Sequence, residues 1–188
     1  KSSGTQIPEI FDKAGNYNWQ NFDQFLKIYE IVTSIFLEEK NFEALVRHVL
    51  DKQVKENVIY NEIFLGPHLW SDRPNDRWER FLNIASKVAD EYEKKYGIYT
   101  YFIIVCIRHL GPEKALEASR FASKVKDKNV VGFGMAGDET KFNTLDFMRS
   151  FDFAKQSGLG TTTHAGEICG AKSVDEAIKL GVTRVGHG

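Results

Sequence analysis

Apolar residues along this chain alternate between two periods, and the switches come in a regular order. Phe22, Phe25, Leu26, Tyr29, Val32 and Phe36 recur at the spacing of one helix face. Phe42, Leu45, Val46 and Val49 predict a second helix, with His48 at the boundary of its apolar stripe. Val58–Phe64 is a short run rich in β-formers and predicts a strand. A turn-rich loop, GPHLWSDRPND, follows, and then Trp78, Phe81, Leu82, Ala85, Val88 and Tyr92 return to the helical period. Tyr99–Ile107 is a continuous apolar and β-branched run, the pattern of a strand covered on both faces in a parallel sheet. Pro112 sits where a helix begins, a position that tolerates its missing N–H, and Ala115, Leu116, Ser119, Ala122 and Val125 mark the inward face. Asn129–Phe133 predicts a strand and Asn143–Ser157 a helix closed by Gly158. Leu159–Thr163 predicts another strand. Ser173 as N-cap with Glu176 three residues on reads as a capping box, Gly181 fits the helix end, and Val182–Val185 closes the series. Residues 1–18, interrupted by Gly4, Pro8 and Gly15, are expected to be irregular.

Strands therefore begin near 58, 99, 129, 159 and 182, with a helix between each pair. Strand–helix–strand repeats demand a parallel sheet with right-handed crossovers. Two α/β architectures satisfy the pattern, an open doubly wound sheet and a (β/α)8 barrel. Residues 1–188 are expected to form a single domain, with 1–57 a helical segment ahead of its first strand. With 25 basic and 26 acidic residues there is no basic excess to suggest nucleic acid, so no nucleic-acid partner is expected. The longest apolar run, Tyr101–Ile107, is far below the roughly 20 residues a bilayer requires, so no membrane partner is expected. Cys106 and Cys169 make no spacing pattern and read as free thiols, which makes the cytoplasm the default compartment.

The chemistry sits where strands run out. Gly132, Gly134 and Gly137 match G-x-G-x-x-G after a strand, the pattern of a dinucleotide site. Such a site needs a helix opening at the third glycine, whereas Asp138 and Glu139 follow at once and would repel a pyrophosphate. A glycine-rich turn, or a close backbone approach to a flat ligand, fits better. His164 and Glu167 follow the fourth predicted strand; imidazole is the commonest metal-ligating side chain, and a loop lets the carboxylate turn back over the site. His187 follows the fifth and is flanked by Gly186 and Gly188, which leaves its ring uncovered. His68 is a lone loop histidine, and such residues are mostly structural. No P-loop, G-x-S-x-G elbow, H-E-x-x-H or P-C-x-x-C pair competes.

Together the segments THAGE, SVDEAIKLGVTRVGHG, VVGFGMAGDE, IRHLGPE and VIYNEIF resemble the adenosine deaminase family of metal-dependent hydrolases, in order and across the whole chain. The resemblance implies a (β/α)8 TIM barrel that binds zinc (Zn2+), of which this chain would supply about strands two to six. It implies hydrolysis of adenosine to inosine and ammonia, with a small purine nucleoside as the partner and no particular oligomeric state. By the same resemblance His164 is the zinc ligand, Glu167 the acid that protonates purine N1, and His187 the group that orients and deprotonates the attacking water. Gly137 is then the glycine whose backbone meets the purine. Gly134 stands where many members carry Asp, and the family's His-x-His and Asp-Asp pairs are missing from these 188 residues, so the chain alone is expected to lack activity. Adenine or another 6-aminopurine is the alternative substrate, and a non-catalytic purine-binding barrel is the alternative of another class.

Overall fold

The computed structural model describes residues 10–188 apart from residue 73, so the expectation placed on Gly4 and Pro8 lies outside the described residues. Two helices lead, α1 (Phe22–Ser34) and α2 (Glu39–Lys55). Then come β1 (Tyr60–Leu65), α3 (Asp76–Tyr96), β2 (Tyr99–Ile107), α4 (Pro112–Lys124) and β3 (Val130–Ala136). The series ends with α5 (Met148–Gln156), β4 (Gly160–Ala165), α6 (Ala171–Leu180) and β5 (Arg184–His187). Local chemistry sets most boundaries. Asn21 caps α1 by accepting the Gln24 N–H, and Asn75 caps α3 by accepting the Arg77 N–H. Gly97, at φ 71°, ends α3 in the left-handed conformation that glycine adopts without strain. Among the described residues no helix is long and apolar enough to cross a membrane.

All four neighbouring strand pairs are parallel, and the order in the sheet is the order in the chain, β1-β2-β3-β4-β5. A flat sheet would hold its edge strands about 19 Å apart at ~4.8 Å per strand. Here Arg184 on β5 reaches Glu62 on β1 at 2.7 Å, and the rings of Phe64 on β1 and His164 on β4 lie 5.9 Å apart. The sheet is therefore curled, with side chains of its two edges meeting across a concave face. This is an incomplete (β/α)8 barrel and not an open doubly wound sheet.

Alternation along the strands divides the two faces. Phe102, Ile104, Cys106, Phe133 and Met135 point outward and are buried under the helices, against Trp78, Phe81, Leu82 and Ala85 of α3, Ala118 of α4 and Phe151 of α5. Burial in this layer pushes the Cys106 thiol well above its ordinary value, which suits a structural and unreactive sulfur. The concave face is plugged at the strand N-termini by Tyr60, Tyr101, Glu62 and Arg184, where the Tyr60 hydroxyl donates to Glu62 at 2.6 Å. The C-terminal end of the same face is open and holds the pocket described below.

Gly134 lies mid-way along that face. A Cβ built on it would stand 3.0 Å from Val105 Cγ1, 3.1 Å from Thr162 Cγ2 and 3.3 Å from Ile103 Cγ2. Neighbouring side chains thus already fill the space an aspartate would need. Gly134→Asp is expected to destabilise the protein by about 2 kcal/mol or more, through overpacking and burial of a carboxylate. Urea unfolding reads this as a lower midpoint; an unchanged midpoint would show that Val105 and Thr162 can move aside.

Two local expectations are corrected. Ser173 is not the N-cap of the last helix: α6 begins at Ala171 after Gly170, and the Ser173 hydroxyl is bonded to Glu139. Glu176, instead of completing a capping box, accepts the Thr144 N–H at 3.2 Å. As the sequence pattern predicts, no helix opens at Gly137. After β3 the chain makes a turn, and the next helical residues are a 3-10 segment, Thr144–Phe147, so the glycine triplet lacks the element a pyrophosphate site needs.

Candidate active site

The last residues of β4 and β5 lie side by side, with His164 opposite Gly186 and Ala165 opposite His187. Both histidines belong to the strands themselves, which run two residues further than the sequence pattern predicts. Gly186 is required by His164: a Cβ there would come within 2.8 Å of His164 Nδ1, so the imidazole lies against bare backbone. His187 has φ 71°, an uncommon conformation for a residue with a side chain. Its ring stands edge-on to that of His164, with centroids 4.8 Å apart. Glu167, in the loop after β4, places Oε2 3.5 Å from His187 Nε2. His164, Glu167 and His187 are thus brought together at the mouth of the curled sheet.

Gly137 reaches the same place from β3. Its φ of 106° belongs to glycine, and a Cβ would stand 3.0 Å from His109 Nδ1. His109 follows β2 and accepts the Asp138 N–H at 3.4 Å through Nδ1. These groups face a cavity of about 400 Å3, within the range of small-molecule sites. Helix α1 forms part of its wall with Phe22, Phe25, Leu26 and Tyr29, and its Glu30 also lines the cavity. Sequence reasoning missed both α1 and His109 as parts of the pocket. The available signal for α1 was an aromatic stripe too wide for a surface helix, none of whose residues is buried in this structure. His68 stays apart, as expected: its ring packs edge-on to Trp78 and its Nε2 lies 3.2 Å from Glu117.

Burial pushes the His164 imidazole below its ordinary pKa, and the neighbouring His187 adds to the effect. The ring is thereby held in the neutral form that can offer a lone pair to a metal. His164 fits as one ligand of an ion. Among the described residues no group of three or more His, Cys, Asp or Glu could hold a metal, whereas a catalytic zinc normally takes about three protein ligands.

The loop between β3 and α5 is tied down from two directions. Arg108, buried at the end of β2, donates to the carbonyls of Lys141 and Phe142 and to the Thr144 hydroxyl. Glu139, only 2% exposed, is surrounded by donors. Burial alone would raise its pKa, but the Ser173 hydroxyl and the amides of Cys169, Ile168 and Gly166 outweigh burial and hold it down to about 2. A carboxyl whose folded pKa lies below its unfolded value near 4.5 stabilises the fold above that value and loses the contribution as pH falls toward 2. Stability on the order of 3 kcal/mol is therefore expected to disappear between about pH 4.5 and 2. Urea midpoints measured across that window should fall in the parent and stay flatter in Glu139→Gln.

Comparison with known proteins agrees with this architecture. The sequence profile of the family described as adenosine deaminase matches residues 4–188. An adenine deaminase of Agrobacterium fabrum is 34% identical over 179 residues, which is 95% of this chain and 55% of that protein. The chain thus spans about half the length of the curated relatives it matches. Among solved structures, an adenine deaminase from Arthrobacter aurescens superposes with a TM-score of 0.80 at 23% identity, over 89% of this chain and 51% of that one. An amidohydrolase from Burkholderia ambifaria with bound Zn gives a TM-score of 0.74 at 20% identity, over 84% and 45% of the two chains. At such identities the structural matches speak for the fold alone.

Proposed function

The chain belongs to the adenosine deaminase family, and we propose that the protein hydrolyses the 6-amino group of a purine, releasing ammonia. One observation carries the reading. A carboxylate and an imidazole in mutual contact, Glu167 and His187, share a pocket mouth with the half-buried His164 and the bare backbone of Gly137.

Purine C6 is a poor electrophile until the ring can accept electrons. Glu167 in its acid form supplies the proton that N1 needs as the C6–O bond forms, a role general acids fill from within hydrogen-bond reach. His187 accepts the proton of the attacking water, and its contact with Glu167 gives a route for protons between the two groups. Collapse then breaks the C6–N6 bond, and the amine leaves as ammonia with a proton returned from this pair. Gly137 allows the flat ring to approach the backbone closely, and the apolar wall from α1 and Val105 excludes water around it. His164 would hold a zinc ion together with ligands from outside the described residues. A bound zinc would supply a Lewis acid that makes water nucleophilic near neutral pH. A structural neighbour that shares this fold is described with bound Zn, which is why zinc is the ion named in this reading.

The free base adenine is the first substrate in this reading, because the relatives matched at 34% identity carry that name. Adenosine is the second. Ammonia release by the full-length protein from adenine, adenosine and AMP tests the proposal. Turnover of adenine with the highest kcat/KM is expected. Turnover of none of the three, in protein shown to contain zinc, would leave the non-catalytic purine-binding barrel as the better reading.

A further inference from the structure

Glu139 has no part in the chemistry above, yet its carboxylate makes more short contacts than any other buried side chain near the pocket. Oε1 accepts the Gly166 N–H at 2.7 Å and the Ser173 hydroxyl at 2.5 Å. Oε2 accepts the Ile168 N–H at 2.6 Å and the Cys169 N–H at 2.9 Å. The Ser173 oxygen in turn lies 2.9 Å from the Gly166 nitrogen, so the hydroxyl and the carboxylate share that donor. The three amides belong to residues 166, 168 and 169, which bracket Glu167 on both sides. Gly166 turns the chain with φ 91° and Gly170 with φ 63°, so the segment wraps around the carboxylate and not back into β4 or α6.

We propose that Glu139 is a positioning residue: its carboxylate, reaching from the loop after β3, fixes the backbone on either side of Glu167 and so holds the Glu167 side chain against His187 at the pocket mouth. The physical case rests on alternatives. Glu167 itself is exposed, and its ion pair with His187 is long at 3.5 Å, a weak hold on the side chain by itself. Without a partner, the three amides would leave a half-buried turn with unpaired donors, which costs more than a typical hydrogen bond is worth. An ionised carboxylate satisfies all three at once, and bonds to a charged acceptor are roughly twice as strong as neutral ones. Anchoring from the loop after β3 also ties the Glu167 loop to the Gly137 turn, since Glu139 lies two residues beyond Gly137.

The catalytic half of this inference rests on the proposed role of Glu167; the structural half does not. The test uses the full-length protein with zinc and the variant Glu139→Gln, which keeps shape but removes the charge and turns one acceptor into a donor facing N–H groups. Hydrogen exchange at Gly166, Ile168 and Cys169 is expected to quicken at least ~10-fold, with β3 and α4 unchanged. Steady-state turnover of adenine is expected to lose about 30- to 100-fold in kcat with KM and zinc content nearly unchanged, since small misplacements of a reacting group cost rates of that size. Unchanged exchange at the three amides overturns the proposal. So does faster exchange with parental kcat. A variant that only stabilised the fold would lower the unfolding midpoint and leave kcat of the folded fraction intact, which is the second of these results. If Glu139→Gln does not fold, Ser173→Ala removes one donor and keeps the carboxylate; exchange should then rise at Gly166 more than at Cys169, and equal or absent changes refute the arrangement. Should the parent protein turn over no purine, the functional reading fails while the exchange measurement still decides what Glu139 holds.

Discussion

Glu167→Gln in the full-length protein is expected to lower kcat on its purine substrate by about 10³-fold, the range over which positioned general acids contribute. Glutamine keeps the length and the polarity of the side chain but cannot deliver a proton to N1. KM should move little, because an amide still hydrogen-bonds the ring edge. Zinc content should not move, since the ion-pair partner of Glu167 is His187. The split matters: a drop in kcat with parental zinc and KM assigns the loss to proton delivery. A variant within a few-fold of the parent would remove Glu167 from the role of acid. Because its loop is held by Glu139 and not by its own side chain, the substitution should leave the unfolding midpoint in place.

His164→Ala is expected to have the second largest effect, and on a different quantity. The imidazole lies against Gly186, edge-on to His187 and facing Phe64, so its removal leaves space and no replacement ligand. Zinc measured by elemental analysis in the purified full-length protein should fall to about a tenth of the parental content or less, and turnover with it, because a three-ligand catalytic site cannot spare a member. Added zinc should restore only part of the rate. Parental zinc content in this variant would show that His164 is not a ligand and that the ion, if needed, is held elsewhere.

The place of both residues at the C-terminal edge of the sheet was legible in the sequence, and the reason is physical. Strands buried on both faces, such as Tyr99–Ile107, write continuous apolar runs that end where the sheet ends, so polar residues just beyond them mark the mouth of a barrel. His164 and His187 were found that way, with an error of two residues in where each strand stops. What the pattern could not convey was anything decided by residues far apart in the chain. Ser173 looks like an N-cap because a serine three positions before a glutamate usually is one. It lost that role to Glu139, 34 residues away, and α6 starts earlier at a glycine instead. Asp138 and Glu139 looked like a repulsive pair unfit for an anion. In the fold both are buried acceptors, Asp138 for Thr140 and Glu139 for the loop that carries Glu167. The curl of the sheet was equally hidden, since its clearest sign is Arg184 meeting Glu62 across 122 positions of chain. Helix α1 was visible as a helix but not as a wall, because its apolar face is completed only where strand ends and loops converge.

The central claim is that the C-terminal mouth of this curled sheet holds a purine between Gly137, Glu167 and His187. The most direct test is a crystal structure of the full-length protein with the deaminated purine bound. The account predicts a ring lying on the Gly137 backbone, N1 within about 3 Å of a Glu167 oxygen, and a metal ligated by His164 close to C6. A purine bound elsewhere, or bound here with Glu167 turned away from N1, would contradict it.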